Sequence, residues 1–347
     1  MWQSGYEMMQ VALLSTSFAD WPILRQTPRQ RGIWSNCQFH TRLDGRRLDY
    51  CVVYEELPET TSVHCSRDNT IFVTGEPPSV RVYNTKFLQQ FGTVITCQRK
   101  LDHPRVIYAQ TGLPWHVGRR CKNHTNISFT KDYDELKNVK HFSKHKLISV
   151  VCSNKTWTSG QKKRLDFVRK ISVQMPQIEV FGRGLRHIED KWDAIAGYKY
   201  HVVLENEAYP DYWTEKLSDS FLGGAYPFYY GCPNISDYFP RGSFTSFDIG
   251  DIDGCKARIE DAIANSLYER SIGEILEARD LVLDKYNLFA MLSDVCNRMD
   301  AGGERKDILL RPECVFEGRD RKLRRAIVKS KKTIANWLRP GWKGIEG

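Results

Sequence analysis

Apolar and polar positions follow a different pattern in each half of the chain. In the first half, short apolar runs separated by polar turns predict strands, with weak helical periodicity between them. These strands cover residues 10–15, 49–55, 71–75, 91–97 and 106–110. Residues 20–47 have no clear period, so we predict a loop-rich region there. It could receive a polar substrate, although loops without such a role are the commoner case.

The second half alternates strands with helices. Strands are predicted at 147–153, 178–181, 200–204, 225–230 and 243–247, and helices at 159–173, near 188–195, from Asp211 onward, and in the stretch 254–298. Strands that alternate with helices indicate a parallel, doubly wound sheet. This half is therefore predicted to be Rossmann-like, although it lacks the glycine-rich GxGxxG fingerprint of dinucleotide-binding proteins.

The length of 347 residues suits two hydrophobic cores better than one. Residues 114–145 are polar and rich in lysine, and we interpret them as a connector with one short helix near Asp134. We therefore predict a first domain at 1–145, a second at 146–318, and a separate tail at 319–347.

Polar side chains gather where the strand 200–204 gives way to the next helix. Glu205 and Asn206 follow the strand directly, and Asp211 is predicted to open the helix. Helical spacing puts Trp213, Leu217 and Phe221 on one face and Tyr212, Glu215, Lys216 and Asp219 on the other. We expect the first face to pack and the second to be free for a ligand. In open α/β sheets, ligands bind beyond the carboxyl ends of the strands.

The net charge of +9 does not indicate a nucleic-acid-binding protein. Ten of the residues in 319–347 are Lys or Arg and two are Asp or Glu, so the rest of the chain is nearly neutral. The apolar positions Leu323, Ile327, Ile334 and Leu338 fit one helical face. We predict a basic amphipathic helix that either lies on an anionic membrane surface or docks on its own protein; both interpretations remain open.

Cysteine usage and hydropathy bear on the cellular compartment. The ten cysteines are scattered, with no CxxC pair and no clustered histidines, so a structural zinc site is not indicated. Free cysteines in apolar runs are typical of a reducing compartment, and there is neither a signal peptide nor an apolar run of membrane-spanning length. We expect a cytoplasmic protein, which contacts the inner face of the membrane peripherally if the tail binds anionic lipid.

Two cations are predicted to meet at one crevice. Arg164, in QKKRLDF, lies within about the first two turns of the helix that follows the strand 147–153, and Lys216 lies in the first turn or so of the helix that follows the strand 200–204. Helix N-termini favour anions, and an arginine adds a bidentate fork. Asn206 offers a donor and an acceptor, and Glu215 could accept two ribose hydroxyls. Alternatively, Arg164 is one more surface cation in a KKR run.

Carboxylates suggest two further sites. Glu76, in FVTGEPP, ends a predicted strand, where it is placed to act as a general base if the second domain faces it. The alternative is an ordinary turn glutamate. Asp251 and Asp253 form a DxD pattern, which some metal-dependent sugar transferases use. The same loop does not match the ligand pattern of a calcium-binding EF-hand. A helix follows, so an N-cap role for one of them is favoured.

One long segment resembles a known family. The stretch LENEAYPDYWTEKLSDSFLGGAYPFYYGCPNISDYFPRGSF resembles the signature of the α1,3/α1,4-fucosyltransferases, through its TEK, Gly224, Pro227, Gly231 and the closing Ser243 and Phe244. The TGE ending at Glu76 is similar to the family's TGEN segment, and Arg164 falls where the family places a donor-phosphate arginine. The chain departs from the pattern at Leu204, Glu207, Trp213 and Pro77.

The resemblance implies an inverting transferase of the glycosyltransferase-B architecture, with two Rossmann-like domains facing a cleft, that uses GDP-fucose without a metal or other cofactor. It further implies that Glu76 is the general base, that Arg164 and Lys216 stabilise the departing GDP, and that Asn206, Tyr212 and Glu215 hold phosphate, base or ribose. The acceptor would be an oligosaccharide or glycolipid, because the tail resembles those of soluble bacterial members.

Two competing functions remain. One is a transferase of the same fold that uses another nucleotide sugar. The other is a nucleotide-sugar-binding protein without catalysis, against which the presence of Glu76, Arg164 and Lys216 together argues.

Overall fold

The computed structural model describes residues 8–16, 21–122, 126–299 and 302–317. The strands are β1 (Met9–Leu14), β2 (Ile33–Trp34), β3 (Cys37–His40), β4 (Tyr50–Tyr54), β5 (Thr61–Cys65), β6 (Thr70–Val73), β7 (Thr93–Thr96), β8 (Val106–Tyr108), β9 (Arg119–Lys122), β10 (Asn126–Phe129), β11 (Lys146–Val151), β12 (Ile178–Phe181), β13 (Tyr198–Leu204), β14 (Tyr226–Tyr230), β15 (Thr245–Ser246) and β16 (Lys306–Leu310). The predicted basic helix at 319–347 lies outside the described residues.

Eight α-helices lie in the described ranges. They are α1 (Thr85–Leu88), α2 (Tyr133–Asn138), α3 (Ser159–Gln174), α4 (Glu215–Leu222), α5 (Ile252–Ala264), α6 (Leu267–Arg270), α7 (Ile272–Asp284) and α8 (Leu288–Arg298). The predicted helix near Asp134 is α2, and the predicted stretch 254–298 is divided among four helices. The predicted helix near 188–195 is only a 3-10 turn, Lys191–Ala194.

The first half forms a seven-stranded sheet in the order β2-β3-β1-β4-β6-β7-β8. All neighbours are parallel except β2 and β3. The central strands β4, β6 and β7 are buried at every position, as expected for a parallel sheet that is covered on both faces. Residues 20–47, predicted to be loop-rich, also carry β2, β3 and a 3-10 helix, Ile23–Gln26.

The second half forms a five-stranded parallel sheet in the order β12-β11-β13-β14-β15. One face packs against α3 and α5 through residues such as Phe167 and Ile259. The opposite face packs against α4 and α7 through residues such as Leu217 and Val282. The strand order reverses between β11 and β13, and such a switch point opens a crevice at the carboxyl ends of the strands. The predicted pair of Rossmann-like units is confirmed by these two sheets.

The chain returns to the first sheet after α7. Leu288, Phe289 and Leu292 of α8 pack into the core of the first sheet, and β16 pairs antiparallel with β5. Helix α8 and strand β16 therefore complete the first layer, whereas the predicted division into 1–145 and 146–318 assigns them to the second domain.

The start of α4 was predicted wrongly. The helix begins at Glu215 and is capped by the Thr214 side chain, whereas Asp211 lies four residues earlier with a positive φ of 59°. Asp211 cannot be a helical residue in that left-handed conformation. Tyr212 consequently belongs to the loop before the helix and not to its first turn.

Candidate active site

A cleft of about 620 Å³ lies at the carboxyl ends of β11, β12 and β13. Cys152, Gly182 and Asn206 line it within two residues of the ends of these three strands, and Glu76 lines it from the loop after β6 of the first sheet. Arg164, Glu215 and Lys216 complete the predicted residues on its wall. The two halves therefore face one another across the cleft that the sequence predicted.

Arg164 reaches the cleft because of how α3 begins. Thr158 and Gln161 form a capping box at the helix N-terminus, and Arg164 follows within two turns. Its side chain is 7% exposed, and Nη1 donates a 3.1 Å hydrogen bond to the Leu204 carbonyl at the end of β13. The surface-cation interpretation of Arg164 is therefore wrong. Its Nε has no hydrogen-bond partner among the described residues.

A glycine allows α3 to approach β13 this closely. A Cβ added to Gly160, in the first turn of α3, would overlap the backbone oxygen of Asn206. The Gly160 Cα and the Asn206 oxygen both belong to the backbone and cannot move apart as a flexible side chain could, so only glycine fits there. The contact aligns the N-terminus of α3 with the end of the neighbouring strand.

Lys216 lies in the first turn of α4 and donates hydrogen bonds to three acceptors. Its Nζ lies 2.9 Å from Thr214 Oγ1, 3.2 Å from Glu215 Oε1 and 3.3 Å from Glu205 Oε2. Burial lowers the pKa of Lys216, but Glu215 and Glu205 outweigh burial and raise the pKa above its ordinary value. The ammonium group is therefore charged at neutral pH and lies on the cleft wall.

Glu205 is a residue that the sequence-based site prediction omitted. Its side chain is fully buried, at 0% exposure, and it accepts hydrogen bonds from the Thr214 amide at 2.8 Å and the Thr214 hydroxyl at 2.7 Å. The only sequence signal was its place directly after the strand 200–204, which Asn206 shares. Burial, which distinguishes the two, is not visible in that signal.

Glu215 carries a negative charge that three cationic or basic groups surround. Burial raises the pKa of Glu215, but Lys216, His116 and Lys191 together hold it well below its ordinary value. His116 Nδ1 lies 3.9 Å and Lys191 Nζ 3.8 Å from the carboxylate. An ionised carboxylate in this position is an acceptor for hydroxyl groups.

The other predicted member of the open helix face, Asp219, is buried. It is 0% exposed, accepts hydrogen bonds from the amides of His116 and Val117, and pairs with Lys191 at 3.0 Å. The prediction that this whole face is free is therefore wrong beyond the first turn, because the segment that leads into β9 packs on it.

Glu76 is half-buried just beyond β6. The Tyr212 hydroxyl donates a 3.4 Å hydrogen bond to its Oε2. Tyr212, the last of the six predicted site residues, therefore also contacts the site. Burial raises the pKa of Glu76 to about 7; Lys216 opposes the shift, whereas Glu55 and Glu215 add to it. A carboxyl group with a pKa near neutrality can both accept and release a proton.

The cleft wall is rich in cations. Among the described residues that line it, six are Lys or Arg and three are Glu. The cations are Arg119, Lys155, Arg164, Arg183, Lys191 and Lys216. Four of these escaped the sequence prediction; Lys155 and Arg183 follow the ends of β11 and β12, a position that could have marked them. Such a wall favours an anionic ligand.

Contacts outside the cleft join the loop before α4 to the first sheet. Arg99 forms an ion pair with Asp211, and the Arg99 amide donates a 3.0 Å hydrogen bond to the Tyr209 hydroxyl. The Ser79 hydroxyl donates to Glu207. The positive φ of Asp211 thus belongs to a loop that both halves hold.

The DxD pattern serves a helix end. Asp251 is the N-cap of α5 and accepts a 2.9 Å hydrogen bond from the Gly254 amide, so the predicted N-cap role is confirmed. No cluster of three or more potential metal-ligating His, Cys, Asp or Glu side chains was found among the described residues.

Part of the second half of the chain matches a known protein family. Residues 141–251 match the model for the C-terminal region of glycosyltransferase family 10 (fucosyltransferase). This segment is therefore similar to glycosyltransferase family 10. The family 10 segment runs from the end of the connector to the N-cap of α5 and contains Arg164, Asn206, Glu215 and Lys216. The resemblance read from the sequence is confirmed.

Individual relatives match over part of their length. The chain is 35% identical over 66 residues to α-(1,3)-fucosyltransferase B of Drosophila melanogaster, covering 19% of this chain and 15% of that protein. It is 33% identical over 118 residues to α-(1,3)-fucosyltransferase 4 of Mus musculus, covering 30% of this chain and 25% of the relative. The matches thus span a quarter or less of these two proteins.

A crystal structure of an α1,3-fucosyltransferase with GDP aligns at 16% identity and a TM-score of 0.48, covering 82% of this chain and 94% of that one. A search of the described helices for a segment long and apolar enough to span a membrane found none.

Proposed function

We propose that this protein transfers L-fucose from GDP-fucose to a hydroxyl group of a glycan acceptor, with inversion at the fucose C1 carbon. The observation that supports this proposal most directly is the meeting of Glu76 from the first sheet with Arg164 and Lys216 from the second on one cleft. The family 10 match covers the segment that contributes both cations. Two similar proteins are named α-(1,3)-fucosyltransferases.

In the proposed reaction, Glu76 accepts the proton of the acceptor hydroxyl as its oxygen attacks the fucose C1. The new C–O bond forms on one face of the sugar while the bond from C1 to the β-phosphate oxygen breaks on the other. GDP leaves with the electron pair of that bond. A positioned general base contributes typically about 10²- to 10⁴-fold to the rate.

Arg164 and Lys216 would stabilise the charge that develops on the departing diphosphate. Both project from the first two turns of the helices that follow β11 and β13, and the N-termini of helices also favour anions. Preorganised donors of this kind stabilise the transition state without rearranging. We propose that these cations supply the charge stabilisation without a metal cofactor. Asn206, Tyr212 and Glu215 would hold phosphate, base or ribose.

Replacement of Glu76 tests the chemical step. We expect Glu76→Gln and Glu76→Ala to lower fucose transfer at least ~100-fold while GDP still binds, because the base is lost and the cations remain. GDP release during turnover measures transfer, and titration calorimetry measures GDP affinity. Glu59→Gln, an exposed glutamate of the same domain, is the matched control. Near wild-type turnover of either Glu76 variant would remove Glu76 from the mechanism.

The donor is tested separately. Calorimetry with GDP-fucose, GDP-mannose, UDP-sugars and GDP alone should show tightest binding among the sugars for GDP-fucose. Preference for a different nucleotide sugar would favour the alternative transferase, and tight GDP-fucose binding without release of GDP to any acceptor would favour a binding protein.

A further inference from the structure

Glu205 lies immediately behind the cleft wall and does not line it. Its carboxylate collects three donors: the Thr214 amide, the Thr214 hydroxyl and the Lys216 ammonium group. A fully buried carboxylate is costly unless donors compensate for the lost water. The three donors all belong to the N-cap and first turn of α4, so Glu205 ties that turn to the end of β13.

The backbone of Glu205 is fixed on its other side. Its amide donates a 2.9 Å hydrogen bond to the Tyr230 carbonyl at the end of β14. A Cβ added to Gly231 would crowd the Glu205 side chain, so glycine at that position leaves the space that the carboxylate occupies. The Glu205 backbone is thus fixed beside the end of β14, and its carboxylate extends from there to α4.

We propose that Glu205 is a positioning residue that fixes the Lys216 ammonium group and the first turn of α4 in the arrangement that receives a diphosphate. It acts through Lys216 and Thr214 and does not touch the ligand. The identity of the ligand rests on the proposed function, whereas the hold of Glu205 on Lys216 does not.

The charges around Lys216 give this role a measurable consequence. Lys216 interacts with Glu205 just after β13, with Glu215 of α4, with Arg164 of α3 and with Glu76 from the first half. His116 also interacts electrostatically with Lys216. Burial disfavours the ammonium form, and the two nearest carboxylates offset that cost. Without the Glu205 charge, burial and Arg164 weigh more, so Lys216 should lose its proton at a lower pH.

The test compares Glu205→Gln, which keeps the side-chain shape, with Glu313→Gln. Glu313→Gln is the matched control, because Glu313 is also a buried carboxylate. It is 6% exposed and accepts hydrogen bonds from Arg81 and the Asn84 amide, away from the cleft. Trace acetylation with acetic anhydride across a pH series, read by peptide mass spectrometry, gives the pKa of Lys216 directly. GDP affinity is measured by calorimetry over the same series.

In Glu205→Gln we expect the pKa of Lys216 to fall by about one unit or more, and GDP affinity to decline at a lower pH than in the wild type. In Glu313→Gln both should match the wild type, even if the melting temperature falls. Glu205→Asp, which restores the charge, should recover part of the Lys216 pKa.

An unchanged Lys216 pKa in Glu205→Gln would overturn the positioning role. A lowered Lys216 pKa in a protein whose wild type binds no GDP would uphold that role and contradict the proposed function. If Glu205→Gln does not fold, Thr214→Val deletes the hydroxyl that joins Glu205 to Lys216; acetylation of Lys216 should then become faster, and an unchanged rate would overturn the proposal.

Discussion

At the scale of single residues, the surroundings of the cleft shift the pKa values of two glutamate carboxyl groups in opposite directions. Burial dominates at Glu76 and raises its pKa to about 7. At Glu215 the surrounding Lys216, His116 and Lys191 overcome burial and hold the pKa low. Environments that separate the pKa values of two carboxyl groups are typical of sites where one handles protons and the other keeps a charge.

The pKa of Glu76 predicts the pH dependence of transfer. The base must be ionised, and the raised pKa means that the proton is retained up to near neutrality. We therefore expect kcat/KM to fall about tenfold per pH unit as pH drops below about 7. Initial rates from about pH 5 to about pH 9 check this, and a profile that stays flat down to about pH 5 would show that Glu76 is not the titrating base.

At the scale of elements, the site depends on how α3 and α4 meet the strand between them. Arg164 of α3 bonds the last residue of β13, and Lys216 of α4 bonds Glu205, the residue after β13. Contacts with the end of one strand, β13, therefore fix the positions of both helix starts. A small displacement of either helix start would separate the two cations.

Gly160 offers a direct perturbation of this arrangement. In Gly160→Ala the new methyl group would overlap the Asn206 carbonyl, so the start of α3 must shift. We expect a loss of about 1–3 kcal/mol of unfolding free energy and at least a tenfold loss of GDP affinity, roughly 1.4 kcal/mol. Chemical denaturation and calorimetry measure the two effects.

Gly273→Ala is the matched control, since no atom lies within 4 Å of its added Cβ. Gly273 lies within α7, where alanine is the better helix former by about 0.5–1 kcal/mol, so this variant should be slightly stabilised with unchanged GDP affinity. Equal GDP affinity in Gly160→Ala and the wild type would show that the helix start does not control the site.

At the scale of the whole molecule, the cleft is made by two layers that the chain crosses more than once. Glu76 belongs to the first sheet, and Tyr212 of the second half donates to it. The first layer in turn is completed by α8 and β16 from the end of the described chain. The geometry between Glu76 and Lys216 is therefore a property of both layers together.

The basic segment 319–347 supplies a prediction of the same scale. Each basic residue near anionic headgroups contributes about 1 kcal/mol to membrane binding, and the segment holds ten Lys or Arg. We propose that it binds an anionic membrane surface. Deleting it should move the protein from anionic vesicles to the soluble fraction in a flotation assay, with neutral vesicles as the control and GDP affinity unchanged. Undiminished binding to anionic vesicles would assign the segment another role.

The sequence by itself determined the strands of the first half, the parallel sheet of the second half, and the positions of Glu76, Arg164, Asn206 and Lys216 at strand ends or helix starts. These features are local: hydrophobic period, turn residues and motif spacing record them along the chain. The family resemblance also followed from one continuous segment.

Only the tertiary structure decided the start of α4, the burial of Glu205 and Asp219, and the return of α8 to the first sheet. Each depends on residues distant in sequence: Arg99 holds Asp211, and the amides of His116 and Val117 occupy Asp219. The protonation of the site was decided in the same way. Burial and neighbouring charges set the pKa of Glu76 and Lys216, and neither is encoded in local periodicity.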